Sequence, residues 1–268
     1  MVHQQYGEPW DNEFADEFTA VVRESLHPRG PEMLVGRFGD LGVRAGELVL
    51  LIGGRDVRSA IDLVRRYDVR VLVIDPVAES IARVREKATE FGLADRITTD
   101  LGQLEHLPLS DGAIDHIWCR DILSHLDIPR ALTECARVLR PWGGMLNFQT
   151  FGTMLLEPNE ARQLASALAI QEANLAQTHF EQSARQASFR IEVTDPVDSE
   201  WRERELEDGD PRITNDLLTI ARMRRTRRSL VQRYGERRYQ EMYVRALGGI
   251  YELLGKLCPV VHLMRKNS

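Results

Sequence analysis

Apolar residues recur along this chain with two different periods, and the points where the period changes mark its organisation. Residues 11–26 place Phe14, Phe18, Val21, Val22 and Leu26 on one helical face behind an Asp11 or Asn12 cap, which predicts an amphipathic helix. After the breaker His27-Pro28-Arg29-Gly30-Pro31, a short helix is expected over about 31–41, ending near Gly42. Then the period changes. The run Glu47-Leu48-Val49-Leu50-Leu51-Ile52, stopped by Gly53-Gly54, reads as a strand buried on both faces of a parallel sheet. A helix over 58–67 leads to a second buried strand at 70–74, which closes on Asp75-Pro76, and another amphipathic helix covers 78–91. Strands follow at 96–99, 114–119 and 145–149, with a helix at 129–139 ahead of Gly143-Gly144. Such alternation means βαβ units with right-handed crossovers, and so a doubly wound sheet. Beyond residue 150 the pattern loosens: a helix over about 157–177, a strand at 188–193, a long charged helix over about 212–256 and a last strand at 259–264.

Composition narrows the classes. With 268 residues, 43% of them hydrophobic, the chain can bury one large core or one core plus a modest appendage. The net charge of −6 argues against a nucleic-acid surface. Cys119, Cys135 and Cys258 are odd in number and far apart, as expected of reduced thiols in a cytoplasmic protein. Residues 1–10 lack an apolar signal core, and no stretch approaches the ~18 apolar residues of a membrane span, so a soluble cytoplasmic protein is expected. No HExxH motif and no histidine pair at ligand spacing occurs, so no metal is expected. One charge run stands out: eight arginines (222, 224, 225, 227, 228, 233, 237 and 238) follow an acidic stretch at 200–210. It reads either as a solvated face paired with Glu203, Glu205 and Glu207, or as a docking surface for a carrier protein or another anionic partner.

Residues 92–146, GLADRITTDLGQLEHLPLSDGAIDHIWCRDILSHLDIPRALTECARVLRPWGGML, carry three ordered motifs. They are LP-x-x-D-G-x-x-D at 107–115, D-x-L-x-H-L at 121–126, and R-V-L-R-P-x-G-G at 137–144. In this order they resemble the small-molecule class I S-adenosylmethionine-dependent methyltransferases, over about 25–150 and more weakly in the final strand. The resemblance implies an α/β, doubly wound, Rossmann-like seven-stranded sheet with an antiparallel last strand from 259–265. It divides the chain into an N-terminal helical segment (1–45), a Rossmann core (46–198), a helical lid insertion between strands six and seven (199–256) and the final core strand (257–268). It implies methyl transfer from S-adenosylmethionine, giving S-adenosylhomocysteine, to O, N or activated carbon of a small molecule of secondary metabolism. The other readings are a cyclase or pericyclase on the same scaffold, or a non-catalytic partner. A homodimer stays open.

The resemblance also assigns residues. The family pattern after strand one is acid-x-Gly-x-Gly-x-Gly, where this chain has Leu51-Ile52-Gly53-Gly54-Arg55-Asp56-Val57. Gly53 and Gly54 remain as cofactor-binding residues, with Asp56 in place of the lost acid. Leu51, Arg55 and Val57 depart from the pattern, and a β-branched Val57 would be strained wherever the loop needed a positive φ. Asp75 is read as accepting from both ribose hydroxyls, or alternatively as a helix cap. Gln103, with Leu104 beside it, stands where an acid binds the adenine amino group, and a Gln amide oxygen can accept that bond. Cys119, Arg120 and Asp121 end strand four at the cofactor–substrate junction. His125, expected one helical turn beyond Asp121, is a candidate general base or a satisfied helix histidine, and Asp121 is its catalytic companion. Trp201, at the start of the insertion, is expected with Arg120 at the substrate lid.

Overall fold

The computed structural model describes residues 12–267; the expected Asp11 cap lies outside the described residues. The strands are β1 (Leu48–Ile52), β2 (Arg70–Asp75), β3 (Ile97–Leu101), β4 (Ile114–Arg120), β5 (Leu139–Gly152), β6 (Phe189–Pro196) and β7 (Leu257–Lys266). They form one sheet in the order β3-β2-β1-β4-β5-β7-β6. Neighbours among β1 to β5 run parallel, and β7 inserts antiparallel between β5 and β6. This is the Rossmann-like arrangement that the alternation and the motifs predict.

The helices are α1 (Asn12–Arg23), α2 (Met33–Gly39), α3 (Val57–Tyr67), α4 (Ala78–Glu90), α5 (Ile128–Val138), α6 (Pro158–Leu168), α7 (Gln177–Gln186), α8 (Glu200–Glu207), α9 (Arg212–Arg225), α10 (Arg227–Tyr234) and α11 (Glu236–Leu253). Successive strand side chains point to opposite faces, so each central strand feeds two cores. Leu50, Ile117 and Met145 pack with α5 and α7, while Val49, Leu51, Trp118 and Leu146 pack with α2, α3 and α4. Burial on both faces explains the uninterrupted apolar runs.

The motifs at 107–115 and 137–144 serve mainly as internal ties. Arg137 donates to the carbonyls of Leu107 and Leu109 and pairs with Glu134 and Asp111, each at 2.7 Å, which pins the loop ahead of β4. Asp115 accepts the Leu48 N–H at 2.7 Å and so sets the start of β1. At the other edge Arg29 binds Asp195 at 2.8 Å and Glu200 at 2.6 Å, while Arg37 reaches Asp195 at 2.6 Å. This clamp fastens the segment before α2 to β6 and α8.

The structure corrects three expectations. The single helix over 157–177 is broken at Ala169, whose left-handed φ of 54° ends α6; a 3-10 turn, Glu172–Leu175, and α7 follow. The long helix over 212–256 is three helices, interrupted at Thr226 and at Gly235, where φ is 85°. The acidic stretch before it folds as a further helix, α8. Finally, β5 starts at Leu139 rather than Met145, with a register irregularity opposite Ile114 and His116.

Candidate active site

Two cavities open at the carboxyl ends of the central strands, where open α/β sheets place their ligands. The first, about 430 Å³, lies against the ends of β1 and β2. Its wall includes Gly53, Asp75, Gly102, Gln103 and Leu104, with Ile74, Leu107 and Ile122 as apolar surface. Asp75 is only 6% exposed; its Oδ2 accepts the Gly54 N–H and its Oδ1 the Val77 N–H, both at 2.7 Å. An ionised carboxylate offers about four lone-pair positions, so each oxygen retains one for a further donor. The bond to Val77 is an Asx turn ahead of α4, so Asp75 shapes the local turn and still lines the cavity.

Glycine is required twice in this wall. Gly53 sits at φ 98°, where a Cβ would meet Ile122 Cδ1 at 3.0 Å; a Cβ on Gly102 would meet Ile74 and Pro108 at 3.0 Å. Arg55 and Val57 are not among the residues with positive φ. Val57 opens α3 and packs against the core, so the strain expected of a β-branched residue in this loop does not arise. Leu51 is fully buried among the side chains packed with α3.

Several expected binding residues lie away from this cavity. Asp56 accepts the Trp118 Nε1–H at 3.1 Å and stands 3.9 Å from the Arg120 guanidinium, outside the cavity wall. Cys119 is fully buried opposite Ile52, its thiol pushed up to about 12 mainly by burial. Gly54 contributes its N–H to Asp75 instead of a surface. Trp201, 5% exposed, stacks on Phe148 at 4.5 Å between ring centroids, and the Arg120 guanidinium lies 5.5 Å from the Trp201 ring. Both residues join α8 to the sheet and are absent from the walls of the two cavities.

The second cavity, about 390 Å³, lies between the end of β4 and helices α6 and α11. Asp121, Thr150, Arg245 and Glu252 supply its polar surface, and Arg55 and His125 belong to the walls of both cavities. Asp121 and His125 do not share a helix face: Asp121 has a left-handed φ of 56°, and His125 ends a 3-10 turn, Leu123–His125. Both nevertheless reach the same cavity. The Asp121 side chain is 53% exposed and lines this recess. Its pKa is pushed up to about 6, first by partial desolvation in that recess, with Arg120 opposing and Glu252 and Asp56 adding repulsion. His125 Nδ1 lies 3.1 Å from the Ala169 carbonyl oxygen. A carbonyl can only accept, so Nδ1 carries the proton and Nε2 keeps the basic lone pair.

Arg245 and Glu252 did not emerge from the sequence as site residues. Their signal is the spacing of Arg245, Gly248 and Glu252 on one face of α11, but helical spacing alone does not say what the face meets. The arginine run from Arg222 to Arg238 is not paired with Glu203, Glu205 or Glu207 as one reading expected. Arg227 pairs with Glu236 at 2.8 Å and Arg237 with Glu241 at 2.9 Å, whereas Glu205 binds Arg202 and Arg212.

Residues 50–147 match the family model described as a methyltransferase domain. The chain is 30% identical over 173 residues to 27-O-demethylrifamycin SV methyltransferase of Amycolatopsis mediterranei, covering 64% of this chain and 61% of that enzyme. It thus spans about three fifths of that relative's length. Among solved structures, a protein assigned as a sarcosine dimethylglycine methyltransferase from Galdieria sulphuraria superposes with a TM-score of 0.68 at 18% identity, over 96% of this chain and 99% of that one. The [4+2]-cyclase SpnF superposes with a TM-score of 0.65 at 18% identity, over 91% and 87% of the respective chains. Residues 50–147 thus carry a methyltransferase domain, and the superpositions show that the chain as a whole has the fold of these structures.

Proposed function

We propose that this protein transfers a methyl group from S-adenosylmethionine to a small molecule, an intermediate of secondary metabolism like the substrate named for its rifamycin relative. The observation that carries this reading is the pair of cavities meeting at Arg55 and His125, with a buried carboxylate under the first. Asp75 fits a vicinal diol because each of its oxygens keeps one acceptor position. The apolar surface of Ile74, Leu104 and Leu107, edged by Gln103, fits a flat base. Gly53 and Gly102 keep the wall free of side chains. When bound, the cofactor supplies an electrophilic methyl group on a sulfonium.

The chain's own contribution is position and proton acceptance. His125, oriented by the Ala169 carbonyl, presents Nε2 as general base for an acceptor O–H or N–H, and Asp121 supplies a carboxylate in the same recess. The helices between β6 and β7 serve as the substrate cover, since α11 forms one wall of the second cavity. Methyl transfer is preferred over a cyclase because the loop after β1 leaves its cavity open and keeps an ordinary backbone at Arg55 and Val57.

Calorimetric titration with S-adenosylmethionine and S-adenosylhomocysteine tests this reading. Binding of both is expected. Asp75→Ala should weaken it by about 100-fold or more, since two hydrogen bonds to a charged group contribute about 1.5–3 kcal/mol each. Absence of heat with either compound would overturn the proposal.

A further inference from the structure

The second cavity carries an uneven distribution of charge. Among the described residues, the side chain of neither Arg55 nor Arg245 makes an ion pair or hydrogen bond, although both line this recess. The two acids of the same wall have their cations elsewhere: Glu252 is bound by Arg202 at 2.7 Å, and Asp121 lies 3.6 Å from Arg120. Neither Arg120 nor Arg202 belongs to the wall. Two guanidinium groups therefore face the recess without a counterion. Much of the remaining surface is apolar, with Leu164, Leu168, Ile170 and Leu257 among the lining residues.

A guanidinium in a partly apolar recess gains from a planar anion that accepts two of its N–H groups at once. We propose that the acceptor substrate is an apolar molecule bearing a carboxylate, and that Arg55 and Arg245 hold that carboxylate in the second cavity. This deepens the methyltransferase reading and rests on it for the word acceptor; the anion site itself stands on the two arginines. It also gives a use to the departure at position 55, where the family pattern has a glycine and this chain has a guanidinium on the wall between two cavities. Because Arg55 borders the first cavity too, the carboxylate it binds could instead be that of the cofactor's methionine tail, and the test separates the two sources.

Octanoate and octanamide, matched in shape and different in charge, are titrated calorimetrically into the whole protein, with and without saturating S-adenosylhomocysteine. Octanoate is expected to bind at least about tenfold more tightly than octanamide. Arg245→Gln should remove that preference while leaving S-adenosylhomocysteine affinity and melting temperature unchanged, since Arg245 is an exposed helix residue. Arg55→Gln should likewise weaken octanoate and spare S-adenosylhomocysteine. Equal binding of the two probes, or indifference of octanoate to Arg245→Gln, overturns the proposal. Loss of S-adenosylhomocysteine but not octanoate in Arg55→Gln removes Arg55 from the substrate site and assigns it to the cofactor. Arginine-dependent octanoate binding by a protein that never binds S-adenosylhomocysteine would instead sink the methyltransferase reading and keep the anion site.

Discussion

At Asp121 the backbone turns into the left-handed region, which Asp and Asn tolerate better than most residues, and the turn delivers a carboxylate to the second cavity. Asp121→Asn should therefore preserve the turn while removing the titration. If Asp121 takes part in proton acceptance, the methylation rate of the parent rises with pH through about 6, and the variant loses that rise. Stability moves the other way. A carboxyl whose pKa is raised on folding favours the protonated native state, so its contribution is fully present below 3.8 and is lost as pH rises through about 6. Asp121→Asn should accordingly melt above the parent at pH 7.5, with the gap closing below pH 4, as thermal unfolding at the two pH values will check. Asp75 was legible as the acid that closes the second strand, and Gln103 and His125 because both lie in the ordered stretch 92–146. Arg245 and Glu252 were not, since they reach the site from a helix far along the chain.

Among the elements, the loop between β1 and α3 carries a local requirement that the sequence displays openly. Gly53→Ala places a Cβ 3.0 Å from Ile122 at a φ of 98°, and should cost about 1–3 kcal/mol in urea unfolding. The attachment of α8 was less visible. Trp201 is buried against Phe148, and Trp201→Ala should cost about 3–5 kcal/mol and expose the segment between β6 and β7 to limited proteolysis. The break at Gly235, which the apolar periodicity runs through, falls where glycine adopts a positive φ at no steric cost. Propensity has no means of marking the break at Ala169, because alanine is the best helix former and only the surrounding packing holds it left-handed.

Across the whole molecule, the antiparallel entry of β7 buries a titratable group in the sheet. His262 pairs across the ladder with Asn147, is fully buried, and lies between Phe151 and Phe180 at 5.8 and 4.6 Å from their rings. Burial lowers its pKa from 6.5 to about 4, with Glu181, 3.8 Å away, opposing. A depressed pKa contributes stability that is present above 6.5 and is lost as pH falls through about 4. At about 1.4 kcal/mol per tenfold change this amounts to about 3 kcal/mol. His262→Phe keeps a ring in the pocket and removes the proton site. Its unfolding free energy should fall about 3 kcal/mol less than the parent's between pH 7 and pH 4, measured by urea titration at each pH.

What the sequence by itself determined here is the alternation of strands and helices through the first 150 residues, the two-faced burial of the central sheet and the turn at Gly53 that borders the first cavity. All of these follow from short-range periodicity and backbone stereochemistry. Tertiary structure decided which charges meet. It placed Asp56 under Trp118 instead of in the cavity, sealed Cys119 in the core, and brought Arg55 of the first βα turn into one chamber with Arg245 and Glu252 of α11. Charge pairing depends on distances between residues remote in the chain, and no local pattern encodes those distances.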